Sequence, residues 1–212
     1  MTEETIDPFV IPTLETERLR LRPLRRGDID DYAALNADPE VMRHVGGTWD
    51  RSRSWRHLAF LIGHWPLGGS GMWALEQRET GAFVGTVGFS EPEGWPGLEL
   101  AGKLARRWWG YGYASEAARA ALAHAFTVLQ RNRVISLVRP HNHASIRLVE
   151  RLGERLEGRT VLAGTEYLVY GIEREPRQGL KPLANKENRP LKGAERGHRP
   201  LGDDLFRGSH GL

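Results

Sequence analysis

The chain has 212 residues and not one of them is cysteine. Disulfides, thiolate nucleophiles and zinc–thiolate sites are thereby excluded, and the composition fits a reducing compartment. Long apolar runs are missing too: no stretch of about 20 apolar residues occurs, so no transmembrane helix is expected. The first ten residues are acidic and lack a basic stretch followed by an apolar one, so no secretory signal is expected and the expected location is cytoplasmic. His57 and His64 stand seven apart with no acidic cluster beside them, so no metal site is expected. The body also has little net charge. Of the overall +3, residues 177–212 contribute eight Lys/Arg against four Asp/Glu, a local +4, and residues 1–176 hold 22 against 23.

Three units follow: an N-terminal extension over 1–13, a folded domain over 14–176, and a basic, Gly/Pro-rich tail over 177–212. The tail repeats Lys181-Pro182-Leu183, Arg189-Pro190-Leu191 and Arg199-Pro200-Leu201, too short a unit for a solenoid. Its composition suits a flexible arm more than a nucleic-acid contact. Leu205 and Phe206 could dock that arm on the body or on a second copy, so a homodimer stands as a candidate. At 40% hydrophobic and 27% charged residues the chain reads as a folded, non-membrane protein.

The body reads as mixed α/β. Leu and Arg alternate over 17–24, a strand with one wet face. Asp28 reads as the N-cap of a helical segment through Leu35. Asp38-Pro39-Glu40 opens a second short helix, with proline at its first position. Residues 54–64 form a third helical candidate. Strands over 72–77 and 82–89 flank a hairpin signal at 78–81, and another strand spans 98–105. A helix follows over 114–130, with Ala114, Ala117, Ala121, Leu122, Ala125 and Leu129 on one stripe. A strand over 134–138, a helix over 143–152 stopped by Gly153, and a final strand over 167–172 complete the pattern. Alternating strands and helices argue for a sheet with at least one parallel crossover.

Between the strand at 98–105 and the alanine-rich helix lies the most informative stretch, residues 107–118. Gly110 and Gly112 allow a sharp turn and close approach by a ligand. The first N–H groups of the following helix have no intrahelical partner, and its dipole favours an anion there. A dinucleotide fingerprint is a weak match, because Ser115 stands where a third glycine belongs and no acidic ribose ligand follows about 20 residues on. A Walker loop needs Lys-Ser or Lys-Thr, and Tyr113-Ala114 is there instead. The spacing Arg-x-x-Gly-x-Gly, set by Arg107, Gly110 and Gly112, is the better match.

With these residues the sequence resembles the GNAT superfamily of acyl-CoA N-acyltransferases, nearest to the Rim-type ribosomal-protein alanine N-acetyltransferase branch. The resemblance covers about residues 14–174. Glu99-Leu100-Ala101-Gly102-Lys103-Leu104 and Trp109-Gly110-Tyr111-Gly112-Tyr113-Ala114-Ser115-Glu116-Ala117 follow the branch's central motif. Residues 142–153, beginning at Asn142 and ending Leu152-Gly153, follow its second motif, and residues 36–42 resemble its N-terminal helical region. The branch usually carries glycine then an aromatic where Ala101 and Gly102 stand, and phenylalanine where Glu154 stands. The first change alters the expected channel wall; the second predicts a wetter corner.

The resemblance implies a GNAT fold: a mixed central sheet with two splayed parallel strands, flanked by helices. Pantetheine would lie between the strands at 98–105 and 134–138. The donor would be acetyl-CoA, as cosubstrate, and no metal is implied. Its pyrophosphate would meet the backbone of 107–112 and the helix start at Ala114. The implied cofactor-binding set is Lys103, Leu104, Arg107, Trp109, Gly110, Tyr111, Gly112, Tyr113, Ala114, Asn142 and Ser145. A strand N–H, with Leu104 as candidate, would hold the thioester oxygen as charge builds on it. Asn142 both caps a helix and reaches the cofactor near the thiol; Ser145 donates to the leaving sulfur. Glu99 is the candidate general base, set against a purely structural carboxylate.

The acceptor would be a primary amine, either a protein N-terminus or a small metabolite. An α-amino group near pKa 8 costs about 1.4 kcal/mol to deprotonate at pH 7, and a lysine near 10.4 costs about 5. One candidate carboxylate suits the easier amine. The acceptor pocket is expected from 45–65, 68–72 and the last hairpin around Tyr167, with Trp49, Trp55, Trp65 and Trp73 as candidate lining. An antibiotic or other small-molecule N-acetyltransferase is the enzymatic alternative. A non-catalytic acyl-CoA sensor, or a nucleic-acid-associated module using the tail, is the other.

Overall fold

The computed structural model of the chain describes residues 10–175. The expectations for the 177–212 tail lie outside the described residues. One eight-stranded sheet organises the rest: β1 (Leu14–Glu15), β2 (Leu19–Pro23), β3 (Met72–Gln77), β4 (Phe83–Ser90), β5 (Glu99–Leu104), β6 (Arg133–Val138), β7 (Arg155–Leu162) and β8 (Thr165–Glu173). Their order across the sheet is β1-β2-β3-β4-β5-β6-β8-β7. Only β5 and β6 run parallel. The crossover between them is α4 (Tyr113–Thr127). The other helices are α1 (Ile29–Ala37), α2 (Pro39–Met42), α3 (Arg51–Gly68) and α5 (His143–Leu152). No helix among the described residues is long and apolar enough to cross a membrane.

Alanine decides how α4 sits. Ala117, Ala118, Ala121 and Ala125 are fully buried against Leu19, Leu21, Leu100 and Leu104 of the sheet. Side chains this small let the helix axis lie close to the strands. The opposite sheet face is covered by α1 and α3, through Tyr32, Leu35, Leu58 and Leu61 packed on Ala74 and Phe83.

The sheet is split where it turns parallel. β4 and β5 register continuously from Gly85↔Leu104 to Ser90↔Glu99, and β6 and β8 from Arg133↔Glu173 to Val138↔Leu168. Between β5 and β6 only Glu99↔Ile135 registers, with Ile135 N–H donating to Leu98 O at 2.9 Å. Beyond that pair the strands part. Side chains alternate along a strand, and so do backbone groups. Ala105 N–H points to Val84 O on β4, so the backbone of Leu104, and of Gly102 two residues before it, faces the split.

Four local expectations change. Asp28 is not a side-chain N-cap. Its carboxylate accepts from both Arg22 guanidinium nitrogens, Nη2 at 2.7 Å and Nη1 at 2.9 Å, and from Arg25 N–H at 2.9 Å. Buried Arg22 outcompetes the helix N–H groups for it. The third helix is longer than expected, Arg51–Gly68, because Asp50 caps it through Arg53 N–H and Pro66 falls in its last turn. Strand β7 was not expected: its residues are mostly exposed and polar, as on a sheet edge. The corner at Glu154 is not wet either, since this carboxylate is 3% exposed.

Candidate active site

The turn after β5 is shaped by tryptophan and glycine. Residues 106–108 form one 3-10 turn, with Trp108 N–H on Ala105 O and Trp109 N–H on Arg106 O. Trp108 Nε1 donates to Phe83 O at 3.1 Å and Trp109 Nε1 to Leu104 O at 2.9 Å, which ties the turn to β4 and β5. Gly110 and Gly112 both take left-handed φ, +83° and +80°. Gly112 occupies the N-cap of α4 without a side chain, so the first N–H groups of α4 stay uncapped. Two of the amides expected to bind phosphate, those of Trp108 and Trp109, are spent inside the turn. The candidates that remain are the amides from Gly110 to Ala114.

A clamp that the sequence did not suggest holds this turn. Arg18, on the lead-in to β2, donates through Nη1 to Tyr111 O at 2.9 Å and through Nε to Glu116 Oε2 at 2.7 Å. Its guanidinium lies 4.8 Å from the Tyr113 ring centroid. Burial alone would raise the Glu116 carboxyl, but hydrogen bonds from Thr16 and Arg18 outweigh it and hold the group below the usual carboxylate range.

Across the split stands α5. Asn142 is its N-cap, and Oδ1 accepts from Ser145 N–H at 3.2 Å. Asn142 and Ser145 are 7% and 3% exposed, yet both line a cleft of about 560 Å³ shared with Leu104, Trp109, Gly110 and Gly112. The cleft therefore runs from the glycine turn along the end of β5 to the start of α5.

A second recess, about 50 Å³, opens on the α1–α3 face of the sheet, lined by Tyr32, His57, Phe60, Met72, Thr86 and Lys103. Lys103 lines both spaces. Its ammonium stands 4.4 Å from the Trp49 ring centroid and 5.0 Å from that of Tyr32. Burial, then the nearby Arg53 cation, push its pKa down to about 7. Glu99 lies on the same strand face two pleats earlier, 1% exposed, with Oε2 accepting from Trp95 Nε1 at 2.8 Å.

Residues 18–155 match the Acetyltransferase (GNAT) domain family. The chain belongs to the GNAT acetyltransferases. The uncharacterized N-acetyltransferase p20 of Bacillus licheniformis is 35% identical over 150 residues, 69% of this chain and 84% of that protein. Among solved structures, an acetyltransferase from Agrobacterium tumefaciens shares 34% identity with a TM-score of 0.72, over 78% of this chain and 96% of that one. A ribosomal-protein-S5-alanine acetyltransferase from Vibrio fischeri is similar in fold alone, at 15% identity and a TM-score of 0.65, over 80% and 100% of the two chains. The mixed sheet with its parted parallel strands is thus the GNAT fold, and the chain is an acyltransferase.

Within this GNAT domain the expected residues divide in two. Leu104, Trp109, Gly110, Gly112, Tyr113, Ala114, Asn142 and Ser145 all line the one cleft. Arg107 does not: its Nη2 reaches Phe83 O at 3.3 Å and lies 3.9 Å from Asp31, lining a separate pocket beneath α1. The Tyr111 side chain stacks on Tyr113 and is 59% exposed, so only its backbone stands by the cleft. Lys103 lines this cleft too, but its ammonium turns to the aromatic recess, over Trp49 and Tyr32. Of the four tryptophans expected around the acceptor, Trp65 and Trp73 are buried in the α4-side core and Trp55 is exposed. Trp49 alone stands at the recess, against His57 and Lys103.

Proposed function

We propose that this chain transfers the acetyl group of acetyl-CoA to a primary amine by direct attack in a ternary complex. The carrying observation is the split: strand backbone at Gly102 and Leu104 faces a gap that ends on the uncapped start of α4. Pantetheine amides can extend β5 there, and the pyrophosphate can meet the Gly110–Ala114 amides at the positive end of the helix. Members of the GNAT family use acetyl-CoA.

Each step of the reaction then has a group. The acceptor amine arrives from the recess face, beside Glu99, which takes its proton directly or through water. The nitrogen lone pair attacks the thioester carbon. A β5 N–H facing the split, with Leu104 as candidate, steadies the oxyanion. Asn142 orients the thiol end, and the Ser145 hydroxyl gives a proton or hydrogen bond to the departing sulfur. The acceptor is a protein N-terminal amine or a small metabolite, since a single enclosed carboxylate suits an amine near pKa 8 better than one near 10.4.

The test is a titration with CoA followed by a thiol-release assay against a panel of amines and peptides. Binding heat with turnover is the expected result. Gly112→Val, which cannot easily hold φ near +80°, should weaken CoA binding at least tenfold. Heat without turnover on any amine would favour an acyl-CoA sensor instead.

A further inference from the structure

Lysine is nearly absent from this chain. Its 30 basic residues comprise 26 arginines and four lysines, and three of those lysines, Lys181, Lys186 and Lys192, stand in the tail. Residues 1–176 therefore hold one, Lys103, among 21 arginines, whose guanidinium groups stay charged and cannot act as amines. That one lysine stands where the donor and acceptor spaces meet. Strand β4 sets Thr86 opposite it, and both side chains line the aromatic recess. It also lines the donor cleft, between Gly102 and Leu104, whose backbone faces the split. Val45, Gly102 and Lys103 are common to the two linings, and of these Lys103 alone brings a nucleophile.

The surroundings of Lys103 favour its neutral form. Among the described residues no carboxylate oxygen lies within 4.0 Å of its ammonium. Glu40, the acid in the cleft lining, pairs with Arg43, and Glu99 lies two pleats back along β5. From α2, Met42 Sδ stands 4.0 Å away. His57 of α3 is joined through Nδ1 to the Tyr32 hydroxyl at 2.7 Å. The ring faces of Tyr32 and Trp49 favour a cation, but burial, then Arg53 of α3, outweigh them and set the pKa at about 7. About half the molecules therefore carry a free lone pair at pH 7, against roughly one in 2,500 for an ordinary lysine near 10.4. A neutral amine is the form that attacks a thioester. We propose that Lys103 is an acetylation site modified by the chain itself. With acetyl-CoA in the cleft, its ε-nitrogen attacks the thioester carbon. The C–N bond forms, the C–S bond breaks, and a proton from the nitrogen goes to the departing sulfur, giving Nε-acetyl-lysine and free CoA. Enclosing amine and thioester in adjoining spaces replaces a chance collision with a held encounter. The site rests on the acetyl-transfer reading and adds an internal acceptor to it.

The experiment incubates the whole chain with acetyl-CoA and no added amine. After denaturation the remaining lysines are capped with deuterated acetic anhydride, so light-to-heavy ratios in tryptic peptides give the occupancy at each lysine. Lys181, Lys186 and Lys192 measure uncatalysed acetylation in the same tube. Lys103 should take up light acetyl about tenfold faster than any of them or more, with one CoA thiol released per acetyl group. Its rate should level off above about pH 8, where its amine is already neutral, while the tail rates keep climbing with pH. Gly112→Val, expected to weaken donor binding, should slow Lys103 and leave the tail rates alone. Lys103→Arg, titrated with CoA to check its fold, should release no thiol beyond that owed to the tail. A Lys103 rate no faster than the tail, or one that Gly112→Val leaves unchanged, overturns the proposal. If Lys103 stays unlabelled while an added amine is acetylated, the proposal falls and acetyl transfer stands. If neither Lys103 nor any added amine is acetylated, the transfer reading falls with it.

Discussion

Ser145 differs from a surface serine in the first turn of a helix. It is 3% exposed, its own N–H is fixed by Asn142 Oδ1, and it lines the cleft. In the proposed reaction a hydroxyl so placed acts when sulfur leaves. Ser145→Ala should therefore lower kcat by ten- to hundredfold, a scale ordinary for a positioned proton donor, with at most a twofold change in CoA affinity. Stopped-flow thiol release beside calorimetry separates the two, and an unchanged kcat would remove Ser145 from the mechanism. At this scale the sequence was legible wherever function lies in the backbone. Gly110, Gly112 and the Asn142 cap belong to chain geometry, which local sequence governs. Side-chain destinations were not legible. Arg107 and Lys103 both stood in the expected cofactor-binding set, yet one turns under α1 toward Asp31 and the other into an aromatic cage. Those choices depend on α1 and α3, placed tens of residues away in the chain.

Among the elements, the turn between β5 and α4 depends on a partner about 90 residues upstream. Arg18 meets Tyr111 O and Glu116, and no local pattern in the lead-in to β2 advertises that contact. Its side chain is 44% exposed, so the ion pair adds little to global stability. Its effect is to preorganise the turn, which lowers the ordering cost of binding. Arg18→Ala should weaken CoA binding by about three- to tenfold and leave the melting temperature within about 2 °C, the range of an exposed ion pair. Calorimetry with scanning fluorimetry reads both, and an unaltered affinity would show that the tryptophan anchors suffice. Other elements were legible to different degrees. Helix α4 carries a clear apolar stripe and α5 a glycine stop, and their limits fall within three residues of those expected. Strand β7 buries none of its residues fully, so it lacks the alternating apolar signal that reveals a strand. Its pairing with β8 rests on backbone bonds and on exposed contacts such as Arg159 with Glu166, which composition does not record.

In the molecule as a whole, two halves of a sheet meet at one registered pair, and the seal beside that pair is a carboxylate. Ser136 Oγ lies 3.3 Å from Leu100 O and 3.0 Å from Glu154 Oε1. A hydroxyl has one proton, so if it goes to Leu100 O, the contact with Glu154 is a hydrogen bond only when Glu154 carries a proton of its own. Enclosure agrees: burial pushes the Glu154 carboxyl up to about 7, with Glu157 adding like charge and Ser136 opposing in part. The sign of the linkage follows. A carboxyl whose folded pKa exceeds its unfolded value contributes no penalty below the unfolded pKa, near 4.5. It destabilises progressively as pH rises to about 7 and by a constant amount above that. Glu154→Gln keeps the shape and an N–H donor toward Ser136 without the titration. It should raise unfolding free energy by about 3 kcal/mol at pH 8, an upper figure for a shift of this size, and by nearly nothing at pH 4. Urea unfolding of both proteins across that interval gives the difference curve. A gap that does not vary with pH would mean that packing rather than the proton sets the cost. In that case the closed end of the split would be held at every pH by Ile135 N–H on Leu98 O and the apolar side chains around it.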